Sequence, residues 1–212
     1  MSPVRTLAAK FRSREYSTAE AAAITGVPLA TVNHFISREL GDLGIAVWGD
    51  GKRTISYDGL VALRMAFDYP KSMAPGSRVE VIEKALRSPR KKHLALEGGK
   101  VIVRVDASRR AVAEGFRKLH QAEAMVAIDA KTLRGEPCIG GTRIPVRSVA
   151  ELVSAANVGG ARTTYSKLTK TQIELACLYA KAHPRRGRPR RAGDVLAKRE
   201  PKSSRTISVT ID

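Results

Sequence analysis

Gly26 divides two short helical patterns, and that division leaves few folds open to the first third of the chain. Before it, Ser17 and Glu20 stand at the spacing of a capping box, followed by small helix formers up to Thr25. A helix that must stop and turn needs a residue tolerant of positive φ at its end, and Pro28 suits the start of the next helix. Ala22, four residues before the glycine, and Val32, six after it, then fall where two helices cross closely at a steep angle. The stretch Tyr16 to Ile36 is therefore predicted to be a helix-turn-helix. Val32, Phe35 and Ile36 are expected to face inward on the second helix. Ala30, Thr31, Asn33 and His34 are left to meet base edges or phosphates, and Arg38 to add a backbone contact. The bland alternative is a packing module that never touches nucleic acid, in which His34 is a surface or helix-packing residue.

The next stretch supplies a second element of the same kind of surface. Ala46 to Tyr57 reads as two β-prone arms around Gly49-Asp50-Gly51, with Lys52 and Arg53 near the tip. A helix from about Asp58 to Phe67 follows, and a Pro70 to Gly76 connector ends the segment. The 38 lysines and arginines against 20 acids leave a formal charge of +18, which draws polyanions to the surface. Helix-turn-helix, basic hairpin and helix in this order resemble the winged DNA-binding domain of MerR-type regulators. That resemblance covers about 50 residues and implies operator DNA as a partner.

Further along, Val79, Val81, Ile82, Ala85 and Leu86 repeat at helical spacing from Arg78 to Arg87. The runs His93 to Leu96 and Lys100 to Val105 around Glu97-Gly98-Gly99 predict a hairpin. Asp106 is read as the N-cap of a helix to about Glu123, with Val112, Phe116 and Leu119 inward. A strand is expected over Met125 to Ile128. The last helix should run from Thr169 to His183, opened by a Thr169–Gln172 capping box. Cys138 and Cys177 are far apart and the four histidines are scattered, so no metal, cofactor or redox pair is indicated. The sequence has no apolar run of spanning length and no secretory core near Met1, which places the expectation in the cytoplasm.

The least generic stretch is Gly135-Glu-Pro-Cys-Ile-Gly-Gly-Thr-Arg-Ile-Pro-Val146. Gly140-Gly141 permits an unusual turn, Thr142 can bond neighbouring amides, and Ile144-Pro145-Val146 hands an extended segment to a helix. It lacks the Lys-Ser/Thr ending of a phosphate loop and the strand-GxGxxG-helix of a dinucleotide fold. No paired carboxylates or nucleophile set accompany it in sequence, so the residues themselves indicate no catalytic role. The order Gly135-x-Pro137-x-Ile139-x-Gly141-Thr142-Arg143-Ile144-Pro145-Val146, then Tyr165-x-x-Leu168-Thr169, then Ala176-x-x-Tyr179-Ala180, resembles the small helical domain of VapB-type antitoxins. The resemblance spans about Ala124 to Arg191. It implies a non-catalytic, commonly dimeric module that neutralises a PIN-domain ribonuclease toxin. The stretch Ala155 to Ala161 departs from it, lacking the usual glycine followed by an acidic helix start. Arg143 is read either as a tie from the turn to a carbonyl or carboxylate, or as a ligand contact.

After Pro184 the chain turns basic, with nine cations against three acids from His183 to Asp212. Arg185, Arg186, Arg188, Arg190 and Arg191 are the candidate toxin-binding residues, because such a run fits the metal-holding carboxylates of a PIN-domain toxin. Arg186-Gly187-Arg188-Pro189 also fits the flat extended core that enters an A·T-rich minor groove, a reading that the family resemblance ranks below toxin inhibition, and a merely solvated tail is the third reading. Thr206 to Asp212 alternates in the manner of a strand.

Together these readings predict an α-rich α+β chain. A winged helix-turn-helix is expected over residues 1–70, a helix-hairpin-helix segment suited to dimerisation over 76–123, a small helical antitoxin domain over 124–183 and an extended basic tail over 184–212. The expected function is neutralisation of a PIN-domain ribonuclease toxin with repression of the operon through operator DNA. The alternative is a MerR-like transcription regulator with a ligand-sensing C-terminal half.

Overall fold

The structure is a computed structural model describing residues 14–49, 52–69, 75–88, 91–96 and 101–185. After the short strand β1 (Tyr16–Ser17), the capping box forms as expected. Ser17 Oγ accepts from the Glu20 amide at 3.2 Å, and the Glu20 carboxylate accepts from the Ser17 amide at 2.9 Å. It opens α1 (Thr18–Thr25), which stops at Gly26 with φ 71°, where the Gly26 amide donates to the Ala22 carbonyl. Pro28 precedes α2 (Leu29–His34), and the helix widens into a π-helical turn over Phe35–Glu39, closed by the Leu40 amide on the Phe35 carbonyl at 2.8 Å. Strands β2 (Ala46–Gly49) and β3 (Lys52–Ile55) pair antiparallel with Ala46 opposite Ile55 and Gly49 opposite Lys52. β1 joins the far side of β3. Ser56 caps α3 (Tyr57–Asp68) by accepting from the Gly59 amide at 3.1 Å.

α4 (Pro75–Arg87) starts one turn before the predicted Arg78, since the fixed φ of proline suits a first helical turn. The expected hairpin follows as β4 (His93–Leu96) and β5 (Val101–Arg104), and α5 (Val105–Met125) begins directly after it. Asp106 is not the cap. It lies inside the first turn, where its carboxylate meets Arg110 one turn on at 2.8 Å and Arg104 at 3.6 Å. Because α5 runs on to Met125, the strand expected there is reduced to β6 (Val126–Ala127), paired with β7 (Cys138–Ile139).

The chain ends its described course with α6 (Val146–Thr164) and α7 (Lys170–Ala182), the latter opened by the reciprocal Thr169–Gln172 capping box. α6 breaks at Ala156 and Asn157. Asn157, at φ 58° and ψ −177°, turns its Oδ1 onto the Gly159 and Gly160 amides at 2.8 and 3.3 Å. A side-chain amide here starts the second half of the helix where the acidic start is missing.

Two cores result, and the architecture is α-rich α+β. The first gathers Ile24, Val32, Leu60, Leu63, Ile82, Val112 and Phe116, and takes in Ala182 from the end of α7. The second, around Ile139, Val146, Val149, Ile173 and Ala176, fills the space under the Gly140-Gly141 turn and between α6 and α7. Among the described residues, no helix is long and apolar enough to cross a membrane.

Candidate nucleic-acid interface

The turn before α2 is held from three sides. Thr25 Oγ1 donates to the Ala21 carbonyl at 2.6 Å and accepts from the Val27 amide at 3.3 Å. The Thr25 carbonyl accepts from Arg64 Nη1 at 2.8 Å, and the same guanidinium grips Asp68 through Nε at 3.0 Å and Nη2 at 2.9 Å. Ser108 of α5 donates to that carboxylate at 2.8 Å. A chain of bonds from α5 through α3 therefore fixes the angle at which α2 leaves the core.

α2 and its π-helical turn bury one face and expose the other. Val32, Phe35 and Ile36 are buried as expected, whereas Ala30, Asn33, His34, Ser37 and Arg38 face solvent. Thr31 is only half-buried and lies at the margin of that face. The hairpin stands beside it. Arg53 Nη1 donates to Ser37 Oγ at 3.0 Å, joining strand β3 to the helix. Its guanidinium also lies 4.6 Å from the centre of the Trp48 ring, directly across the hairpin. Lys52 is exposed next to it, and neither Lys52 nor Arg38 forms an ion pair among the described residues. The Arg53–Ser37 bond thus sets the hairpin against the exposed face that carries Asn33, His34 and Arg38, while strand alternation turns Lys52, one residue before Arg53, to the other face of the hairpin. Sequence reasoning missed Ser37 and Trp48. The register that pairs Gly49 with Lys52 sets Trp48 opposite Arg53, and the two β-prone arms read on either side of Gly49-Asp50-Gly51 were the available signal for the second of them.

The Gly-Thr-Arg-Ile-Pro-Val turn is built differently from its simplest reading. Thr142 Oγ1 donates to the Ile139 carbonyl at 2.8 Å and accepts from the Ile144 amide at 3.1 Å, so the threonine closes the turn. Gly141 takes φ 72°, and Gly140 donates to the Met125 carbonyl at 2.8 Å. Arg143 is exposed and makes no hydrogen bond or ion pair among the described residues, so it does not tie the turn. Arg147 and Glu136 act at this end instead. Arg147 donates to the His183 carbonyl at 2.8 Å and lies 3.5 Å from Glu136, whose carboxylate also accepts from Arg185 at 2.6 Å. Of the candidate toxin-binding arginines, Arg185 is thus folded back on Glu136. Arg186, Arg188, Arg190 and Arg191 lie outside the described residues, as does the strand pattern over Thr206 to Asp212. Ile128 and Leu133 stand 65% and 52% exposed on the loop between β6 and β7. Burial pushes the thiols of Cys138 and Cys177 above their ordinary pKa, which keeps both protonated and poorly nucleophilic at neutral pH.

No solved structure matches the chain. The uncharacterized protein y4eO of Sinorhizobium fredii is 37% identical over 87 residues, a stretch that covers 41% of this chain and 39% of that protein. The match spans about two fifths of the relative's length. Residues 126–180, the unit built around the Thr142 turn and helices α6 and α7, are similar to the family described as a protein of unknown function, DUF433.

Proposed function

We propose that the chain is a DNA-binding antitoxin: a winged helix-turn-helix that holds operator DNA, joined to a unit that binds and neutralises a PIN-domain ribonuclease toxin. The observation that carries the DNA half is the Arg53–Ser37 bond, which sets a basic hairpin against the exposed face of α2. A helix presenting Asn33 and His34 beside Lys52 and Arg53 offers both base-edge and phosphate contacts, and the net charge of +18 supplies long-range attraction. The toxin half is supported by the Gly-Thr-Arg-Ile-Pro-Val resemblance. Two further features suit it to a protein partner with an acidic site: apolar Ile128 and Leu133, exposed near Arg134, which a partner surface would bury, and the five arginines from Arg185 to Arg191, which would meet its carboxylates. In this reading the protein is cytoplasmic and works as a dimer or in a hetero-oligomer with the toxin.

The test is co-expression with the product of the adjacent reading frame, followed by operator binding and ribonuclease assays. The intact chain should co-purify with that product, suppress its ribonuclease activity and shift DNA from its own promoter. Truncation after His183 should restore ribonuclease activity while operator binding persists. If the adjacent product is no ribonuclease, the toxin half of the reading is wrong; if the truncated chain inhibits at the same molar ratio, the basic tail is not the inhibitor. Unaltered promoter affinity and salt dependence in the Lys52→Ala, Arg53→Ala double variant would remove the hairpin from the DNA half.

A further inference from the structure

We infer that Trp48 is an apolar contact to double-stranded DNA, packing its free indole surface on the sugars and base edges of the groove that the hairpin enters, with Arg53 as the positioning residue behind it. The inference rests on the reading of α2 and the hairpin as a DNA interface and adds a residue that acts there without charge. Trp48 is 66% exposed, although it belongs to the same sheet face as Ala46 and the fully buried Ile55. It stands one step past the end of the core on the side of Ser37. Arg53 pairs with it across the strands, lies over its ring at 4.6 Å and is itself held by Ser37 at 3.0 Å.

This arrangement assigns the two side chains different work. A guanidinium committed to a ring and a hydroxyl is fixed in place, and it fixes the indole, so the ordering entropy of a large flat side chain is lost before any partner arrives. The indole surface that remains open is linked to the helix face through Arg53, which touches both. Arg53 stands over the ring, Lys52 takes the adjacent strand position and Arg38 lies one residue past Ser37, so the region repels a second copy of a chain carrying +18 and attracts a polyanion. Phosphate contacts from Lys52 would position the duplex, and the indole would add the salt-independent part of the affinity.

Trp48 is the single tryptophan of the chain, so its emission reports this contact alone. The probe is a mixed-sequence duplex of about 30 bp in roughly 50 mM salt, where non-specific binding is measurable. Adding it to the full-length chain should quench and blue-shift the emission and reduce acrylamide access. The midpoint should match that from anisotropy of the labelled duplex. Trp48→Ala should weaken binding about tenfold with an unchanged slope of log K against log salt, and Trp48→Phe by no more than about threefold, as expected for stacking. Lys52→Ala should lower the slope instead. Arg53→Lys, which keeps the charge but loses the planar fork, should alter the emission of the free protein and weaken binding without changing the slope.

Duplex binding by anisotropy with unchanged Trp48 emission and acrylamide access would overturn the assignment while leaving the DNA reading in place. No duplex binding at low salt would overturn both. An equal emission response to polyglutamate at matched charge would mean that the surface takes an acidic polypeptide and not DNA.

Discussion

Gly115 of α5 lies so close to the Ile24 carbonyl of α1 that a Cβ on residue 115 would sit 1.8 Å from that oxygen. The helix before the Gly26 turn is therefore seated on α5 by direct backbone approach, and α7 packs against both of them. The unit that presents α2 and the unit similar to DUF433 share this support.

Gly115→Ala sets two effects against each other. Alanine gains about 1 kcal/mol of helix propensity over glycine. The clash is with a backbone oxygen that cannot rotate away, which places it at or above the ~3 kcal/mol end of overpacking penalties. The clash wins, and the net loss of about 2 kcal/mol should lower Tm by roughly 4 to 8 °C for a chain of this size. Thermal unfolding followed by circular dichroism measures this, and an unchanged Tm would place α1 and α5 further apart than described.

Thr142 and Arg143, neighbours in the signature turn, should behave oppositely. Thr142→Val removes both the bond to the Ile139 carbonyl and the acceptor for the Ile144 amide, a loss of about 1 to 2 kcal/mol. Thr142→Ser keeps both bonds and should stay near the wild type. Arg143→Ala should change stability by no more than ~0.5 kcal/mol, because the side chain is exposed and unbonded among the described residues. Urea midpoints of the three variants check the order, and a destabilised Arg143→Ala would return that arginine to a structural role.

Most of the fold was legible where a local rule decides the outcome. The Ser17–Glu20 and Thr169–Gln172 boxes, the Gly26 stop and the Gly49 to Lys52 hairpin each follow from a few adjacent residues, and each lies where the pattern set it. Asp106 misled because a carboxylate near a helix start suits a cap and a first-turn ion pair equally. Arg104 and Arg110 decided between them. The site was legible in its charges but not in its joints. Arg53 to Ser37 and Arg185 to Glu136 are separated by 16 and 49 residues, and no periodicity or spacing rule links side chains that only the packing of whole elements brings together.

Alkaline pH should destabilise the protein in a way that one substitution relieves. Burial, with help from the Asp68 charge, pushes the Tyr69 hydroxyl up to about 12, and burial pushes Tyr16 to about 12 as well. A phenol whose folded pKa exceeds its ordinary value near 10 stabilises the fold fully below pH 10. That contribution is lost as pH rises from 10 to 12, because the unfolded chain ionises first. The Tyr69 hydroxyl is buried with no hydrogen-bond partner among the described residues, so Tyr69→Phe should be neutral or slightly stabilising at pH 7. Between pH 10 and 12 it should remove up to ~2 kcal/mol of the loss seen in the wild type. Urea unfolding at pH 7, 10 and 11.5 compares the two chains, and parallel curves would assign the alkaline loss to other groups.

Asn157 carries the last expectation, since its backbone and side chain pull in opposite directions. At φ 58° and ψ −177° it occupies a region that suits glycine almost alone, yet its Oδ1 caps the second half of α6 through the Gly159 and Gly160 amides. Asn157→Ala keeps the strain and loses the cap, so it should cost about 1 to 2 kcal/mol. Asn157→Gly loses the cap but relieves the strain, and should fall within a few tenths of a kcal/mol of the wild type. Asn157→Asp keeps an acceptor and adds a negative charge at a helix N-terminus, restoring the acidic start that this chain lacks; it should match or exceed the wild type by up to ~0.5 kcal/mol. Chemical denaturation of the three variants gives the order Asp, Gly, Ala. Equal stability of the alanine and glycine variants would mean that the kink at Ala156 and Asn157 is unstrained and that the two halves of α6 are joined without the asparagine's help.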